Sequence, residues 1–187
     1  MMADQLASPA DLKLLLDRQD LDDARCTLLI ECATAVVQNA AGGQRIVRVV
    51  DDTATLTSGS GQWLPLPQWP VESVASVDYN GTAMAAGAAG YRLHGTRLFR
   101  RCGWSDCPGD LFPVTVVYTH GYAEGDQELQ FGRSSVLGLI RDVVDNPTGL
   151  KAESLDDWSA TYSALSTHME GTPALRKALY RQYGRRR

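Results

Sequence analysis

The run VTVVYTHGYAEGDQELQFGRSSVLGLIRDVVDNPTGL, residues 114–150, decides how the chain is read. Val114, Val116 and Tyr118 alternate with Thr115, Val117 and Thr119. That is strand periodicity, in β-branched residues that suit a pleated surface. Gly121 and Gly125 interrupt it, and Asp126 can cap a helix by accepting an orphan first-turn N–H. On a helical wheel Leu129, Val136, Leu137, Leu139, Ile140, Val143 and Val144 share one side, and Ser134, Gly138, Arg141, Asp142 and Asp145 the other. Asn146-Pro147 stops the helix, because proline cannot donate and disfavours the α conformation before it. A strand therefore hands over to a long amphipathic helix, and the stretch holds no chemical site.

Working outward, the N-terminal segment up to Gly43 reads as helical. Ser8-Pro9-Ala10-Asp11 reads as a helix start: a capping serine, a proline at the first position, an acid at the positive end of the dipole. A second helix is expected from Asp20 to about Ala41, ended by Gly42-Gly43. Leu21, Ala24, Leu28, Leu29, Cys32, Ala35 and Val36 form one apolar face, which Cys26, Ile30, Ala33 and Val37 widen. Asp23, Thr27, Glu31, Thr34 and Gln38 leave only a narrow polar strip. So apolar a helix is central in a bundle or covered by a second subunit.

The period changes at Gln44. Arg45–Val50, Thr53–Thr57, Gln62–Leu66, Ser73–Tyr79, Tyr91–His94 and Thr96–Arg100 read as short strands, with Asn80-Gly81 a type I′ hairpin turn. Cys102–Pro113 reads as a loop around Trp104. Beyond Pro147 the periodicity weakens, and Leu150–Ser163 reads as a partly extended arm. Thr172-Pro173 starts a short terminal helix carrying Leu175, Leu179 and Tyr183. At that length it is marginal alone in water and needs a partner surface. The fold class expected is α+β: mainly a helical bundle (residues 1–43 and 122–147), an inserted small antiparallel β domain (44–121), and an extended C-terminal arm ending in a short helix (148–187).

Bulk properties exclude several classes. An apolar fraction of 44% supports a core. No apolar run approaches the roughly 20 residues that span a bilayer. MMADQLASPADLK has no basic-then-apolar pattern, so no secretory signal is expected. Net charge is −4, yet ALRKALYRQYGRRR at the end has six basic residues and no acid. Such a tail suits an acidic partner surface or nucleic acid. Cys26, Cys32, Cys102 and Cys107 lack zinc spacing and read as structural thiols.

No catalytic constellation is found. His94, His120 and His168 show neither metal spacing nor a paired nucleophile. His120 reads as a hydrogen-bonded turn residue. Asp51-Asp52 and Asp156-Asp157 are neighbours that point apart on a strand. Trp63, Trp69, Trp104 and Trp158 are not interleaved with basic residues along the sequence, so core or interface anchors are expected rather than a nucleic-acid platform.

LPLPQWPVESVASVDYNGT (64–82), VTVVYTHGY (114–122), the helix after it and NPTGLKAESLDDWSATYS (146–163) together resemble the head–tail adaptor, head-completion or connector, proteins of long-tailed double-stranded DNA phages. The resemblance implies a non-enzymatic virion protein without cofactor or metal. It implies a ring of about twelve copies under the portal at the neck, linking capsid to tail, with the genome passing through the lumen. The partners implied are the portal protein, further copies of the chain, a stopper or tail-terminator protein and unread double-stranded DNA. The portal contacts expected are Leu175, Arg176, Lys177, Leu179, Tyr180, Arg181 and Tyr183, and deletion of 174–187 is expected to leave the remainder folded. The subunit contacts expected are Ile30, Val37, Phe131, Leu155, Trp158 and Tyr162. Alternatives are a stopper or tail-terminator ring of the same neck, or a DNA-binding module using the basic C-terminus. A weakly acidic body suits a DNA conduit, since many cations would retain the duplex.

Overall fold

The computed structural model describes residues 5–59, 61–105, 111–145, 152–155, 158–161 and 173–184. The fold is α+β, with four helices and nine strands among these residues. The chain divides into two compact units: residues 1–47 with 124–187, and residues 48–123 between them in sequence.

The first unit is built on helices. Helix α1 (Pro9–Leu16) opens with a complete capping box: the Ser8 hydroxyl accepts the Asp11 N–H at 3.2 Å, and Asp11 accepts the Ser8 N–H at 2.9 Å. Helix α2 (Asp23–Ala40) starts three residues later than the sequence suggests, because the Asp22 carboxylate, not Asp20, accepts the Arg25 N–H. It ends in a Schellman motif, Gly43 N–H to Gln38 and Gly42 N–H to Asn39, with both glycines at positive φ. Helix α3 (Gln127–Asp145) buries Leu129, Val136, Leu139 and Ile140. Helix α4 (Pro173–Tyr183) packs on the same core through Leu179 and Tyr183.

The buried face of α2 differs from the one periodicity selects. Cys26, Ile30, Ala33, Thr34 and Val37 are inside, while Leu28 is 60% exposed. The width of the apolar surface left the choice of face open, and tertiary neighbours made it. Thr34 is tolerated inside because its hydroxyl accepts the Leu6 N–H at 3.4 Å.

Strands β1 (Val49–Thr57), β3 (Val71–Tyr79), β4 (Thr82–Met84) and β7 (Pro113–His120) form an antiparallel sheet in the order β1-β7-β3-β4. A second sheet has the order β2-β6-β5, from Trp63–Pro65, Arg97–Phe99 and Arg92–His94. β1 is one bulged strand rather than two short ones: Asp51, at φ 54°, sits where the register with β7 shifts. Asn80 and Gly81 both have positive φ, as a type I′ turn demands. Leu64 and Leu98 of one sheet meet Val77, Val114, Val116 and Tyr118 of the other around the fully buried Trp104. The Trp104 ring N–H donates to the Gln62 carbonyl at 3.1 Å, so no polar atom of the indole is left unpaired. Beyond the second unit, β8 (Ala152–Leu155) and β9 (Trp158–Thr161) pair as an antiparallel hairpin where the sequence suggests an arm.

Arg133 closes an ion pair on Asp11, tying α3 to α1. Burial alone would raise the Asp11 carboxyl, but hydrogen bonds from the Ser8 hydroxyl and backbone and from Arg133 outweigh it and hold it below the ordinary 3.8. A carboxyl depressed by folding contributes stability above its unfolded value and loses it as pH falls through the folded one. The urea midpoint should therefore fall between about pH 5 and pH 3, and Asp11→Asn should flatten that fall.

Candidate interaction surface

Helix α4 is the element that carries most of the residues expected to meet a partner. Its sequence, PALRKALYRQY, starts with proline at a position where a missing N–H costs nothing. Leu179 and Tyr183, four residues apart, fall on one face and are buried. The Tyr183 hydroxyl donates to the Glu128 carbonyl oxygen and accepts the Gly132 N–H at 3.0 Å. It therefore lies across a residue pair that a regular helical turn joins directly. Its ring stacks on Phe131, centroids 6.2 Å apart. Gly132 permits this approach: a Cβ there would stand 3.2 Å from the Leu6 side chain and 3.5 Å from the Tyr183 hydroxyl.

With that face held down, Arg176, Lys177, Tyr180 and Arg181 point outward. Tyr180 is 53% exposed, and its ring rests against Gly42, whose positive φ keeps the site free of a Cβ. A groove of about 760 Å³ runs along one side of α4, between Arg181 and the start of α3 at Gln127 and Glu128. A second, of about 410 Å³, lies between Arg176, Lys177 and Tyr180 and the end of α2 at Asn39 and Ala40. No carboxylate stands anywhere in 174–187. The arrangement is a cationic ridge with an aromatic side chain at its centre and a depression on each flank.

This placement sorts the residues singled out by sequence. Arg176, Lys177, Tyr180 and Arg181 share the exposed ridge, with Leu175 half-buried beside it. Leu179 and Tyr183 are core, so they present no surface, and removing 174–187 would strip the helical unit of its own packing. The partner that α4 needs is its own chain. Ile30 and Val37 are likewise fully buried. The apolar surface that α2 leaves uncovered is at Leu28 instead. Phe131 is half-buried and partly covered by Tyr183. Leu155 and Trp158 are register partners in the β8–β9 hairpin, and Tyr162 lies outside the described residues.

His94 and His120 lie in different sheets. His120 is fully buried at the end of β7, and its Nε2 is 3.0 Å from an Asp52 carboxylate oxygen, a pair that links β7 to β1. Cys26 is a buried free thiol, Cys32 and Cys102 are exposed free thiols, and Cys107 lies outside the described residues. Among the described residues, no group of three His, Cys, Asp or Glu side chains is placed to hold a metal ion. No described helix is long and apolar enough to cross a membrane.

No protein-family model and no curated protein matches the sequence. The fold is similar to that of a chain in a solved structure described as the neck of an empty GTA particle computed with C6 symmetry. The TM-score is 0.55 at 13% identity, over 96% of this chain and 91% of that one. At that identity the likeness is one of fold, and it runs through both units.

Tyr183→Phe leaves the ring in place and removes the bridging hydroxyl. It should lower unfolding stability by about 1–3 kcal/mol, since the buried Gly132 amide and the part-buried Glu128 carbonyl lose a partner. Lys177→Ala, on the ridge, should change stability by less than about 0.5 kcal/mol. Urea titrations of the two variants check both.

Proposed function

We propose that this chain is a structural subunit of the neck of a phage-like particle: a head–tail adaptor that assembles as a ring under the portal vertex and joins capsid to tail. The observation that carries the reading is the fold likeness to a neck protein over nearly the whole of both chains. The sequence resemblance supports it independently, because it rests on three separated runs in the same order. A ring of twelve copies is compatible with the six-fold symmetry of that neck.

In this reading the α4 ridge is the portal contact. Arg176, Lys177 and Arg181 meet acidic side chains, and Tyr180 supplies an aromatic anchor of the kind that dominates interfaces. Steering by three exposed cations raises the rate of encounter, most at low salt. The role is mechanical and non-enzymatic. The protein holds two rings together while the duplex passes without being read. A chain of net charge −4 holds the duplex weakly, since few phosphate contacts mean little counterion release.

The test is co-sedimentation of the full-length protein with a purified portal ring. Arg176→Glu/Lys177→Glu/Arg181→Glu should abolish co-sedimentation with an unchanged circular dichroism spectrum, and Leu28→Ser should retain it. Equal binding by the triple variant would remove α4 as the portal contact. No binding by the wild-type chain would remove the adaptor reading.

A further inference from the structure

The second unit carries an aromatic and cationic surface that the portal contact does not use. In the sheet β2-β6-β5, Leu64, Leu98 and Leu93 are register partners and turn inward to the core. Alternation then turns the neighbouring rows outward together. One outward row is Trp63, Phe99 and Arg92, and the next is Pro65, Arg97 and His94. The rings confirm the placement: Trp63 lies 4.9 Å from Phe99 and 5.7 Å from His94, centroid to centroid. Trp63 is 48% exposed, and Arg92, His94 and Arg97 are exposed. Arg101, also exposed, lines a shallow groove with Arg92 and Phe99.

The charge of this face is one-sided. Residues 59–71 and 79–105 contain four arginines and no carboxylate. Arg92, Arg97 and Arg101 make no ion pair among the described residues. An exposed indole on one sheet face with Arg92 and Arg97, which are not ion-paired among the described residues, calls for an occupant that is apolar at its centre and anionic at its edge.

The same chain offers such a surface at the corner between α1 and α2. Residues 14–23 read LLLDRQDLDD, four aspartates against one arginine. Leu14 is 77% exposed and Leu15 43%, the largest apolar exposure on α1, and Asp17, Asp20, Asp22 and Asp23 are exposed beside them. Arg18 pairs with Asp20 and Lys13 with Asp23, both at the surface, so the four carboxylates still exceed the two cations that meet them. Each patch has what the other lacks. Leucines cover rings, and carboxylates meet guanidinium groups, which accept them in a two-pronged geometry.

We infer that the outer face of the β2-β6-β5 sheet seats the α1–α2 corner of a second copy of this chain. Because the two patches differ, every copy gives one and receives one, so the contact is heterologous and propagates head to tail. It closes as a ring when the rotation closes, and only that closure rests on the neck reading. Single-stranded nucleic acid, stacking on Trp63 with phosphates on the arginines, is the competing occupant. It leaves the leucines of the corner uncovered, whereas a second copy covers both patches at once.

The test is a charge-reversal cycle on the full-length protein by sedimentation velocity. The capping Asp22 and the left-handed Asp17 are left intact, so the variants are Arg92→Glu/Arg97→Glu and Asp20→Lys/Asp23→Lys; the second pair gives up the exposed Arg18–Asp20 and Lys13–Asp23 contacts, and an unchanged thermal transition shows that the fold does not depend on them. The wild-type chain should self-associate at concentrations of order 100 µM and lose most of that association in high salt. Each variant alone should sediment as a monomer, its two patches now alike in charge. An equimolar mixture should regain wild-type association, because each variant's reversed patch matches the other's reversed patch. Trp63→Ser, neutral and half-exposed in origin, should weaken association tenfold or more with an unchanged thermal transition. A wild-type chain that stays monomeric, variants that associate like wild type, or a mixture that is not rescued would overturn the inference. So would tight binding of a labelled single-stranded oligonucleotide that the arginine variant loses while its self-association is unchanged. Mutual rescue without portal binding would leave this contact standing and remove the neck assignment, and the reverse pattern would do the opposite.

Discussion

The Tyr183 hydroxyl lies across the Glu128 carbonyl and the Gly132 amide, at the first turn of α3. Most of what the helical unit presents to the outside follows from that contact. It fixes which face of α4 is down, so it fixes that Arg176, Lys177, Tyr180 and Arg181 are up. It also constrains residues far away in sequence. A Cβ on Gly132 would press on the Leu6 side chain at 3.2 Å, so the glycine and Leu6 fit together beside the Tyr183 hydroxyl. An 11-residue helix is marginal in isolation. Here its apolar side is covered by its own chain, which leaves the polar side available without any partner having to fold it first.

Periodicity made much of this legible. The alternation from Val114 to Tyr118 and the amphipathic run after Asp126 became β7 and α3. Ser8, Gly42, Gly43 and Asn80-Gly81 act where their local chemistry says they should, because caps and tight turns are decided within a few residues. Three things were not legible, each for a reason of range. The second helix has apolar residues on most of its circumference, so the sequence could not say that Ile30 and Val37 face inward while Leu28 faces out. A bulge at Asp51 looks like a strand break, since a left-handed non-glycine residue leaves no pattern of its own. Finally, Trp63 looks isolated from basic residues along the chain. Only the register of β2, β6 and β5 sets it in a row with Arg92.

A net charge of −4 conceals an uneven distribution. Acid gathers at the α1–α2 corner, arginine gathers on one sheet face, and a second cationic ridge runs along α4. Surfaces so segregated cost some stability through local repulsion, and such a cost is recovered when the patches meet complements. The proposed role of joining neighbours would call for several such surfaces with distinct complements, so that one neighbour is not confused with another. The His120–Asp52 pair and the buried Trp104 serve the opposite purpose, holding the β unit in one arrangement beneath its outer face.

Helix α4 is folded onto its own chain in the free protein. Native-state hydrogen exchange on the free full-length protein tests it most directly. The amides of Leu179 to Tyr183 should be protected to nearly the same degree as those of the α3 core, Val136 to Ile140, because both belong to one cooperative unit. Exchange of the α4 amides at the rate of an unstructured peptide, with α3 still protected, would contradict it.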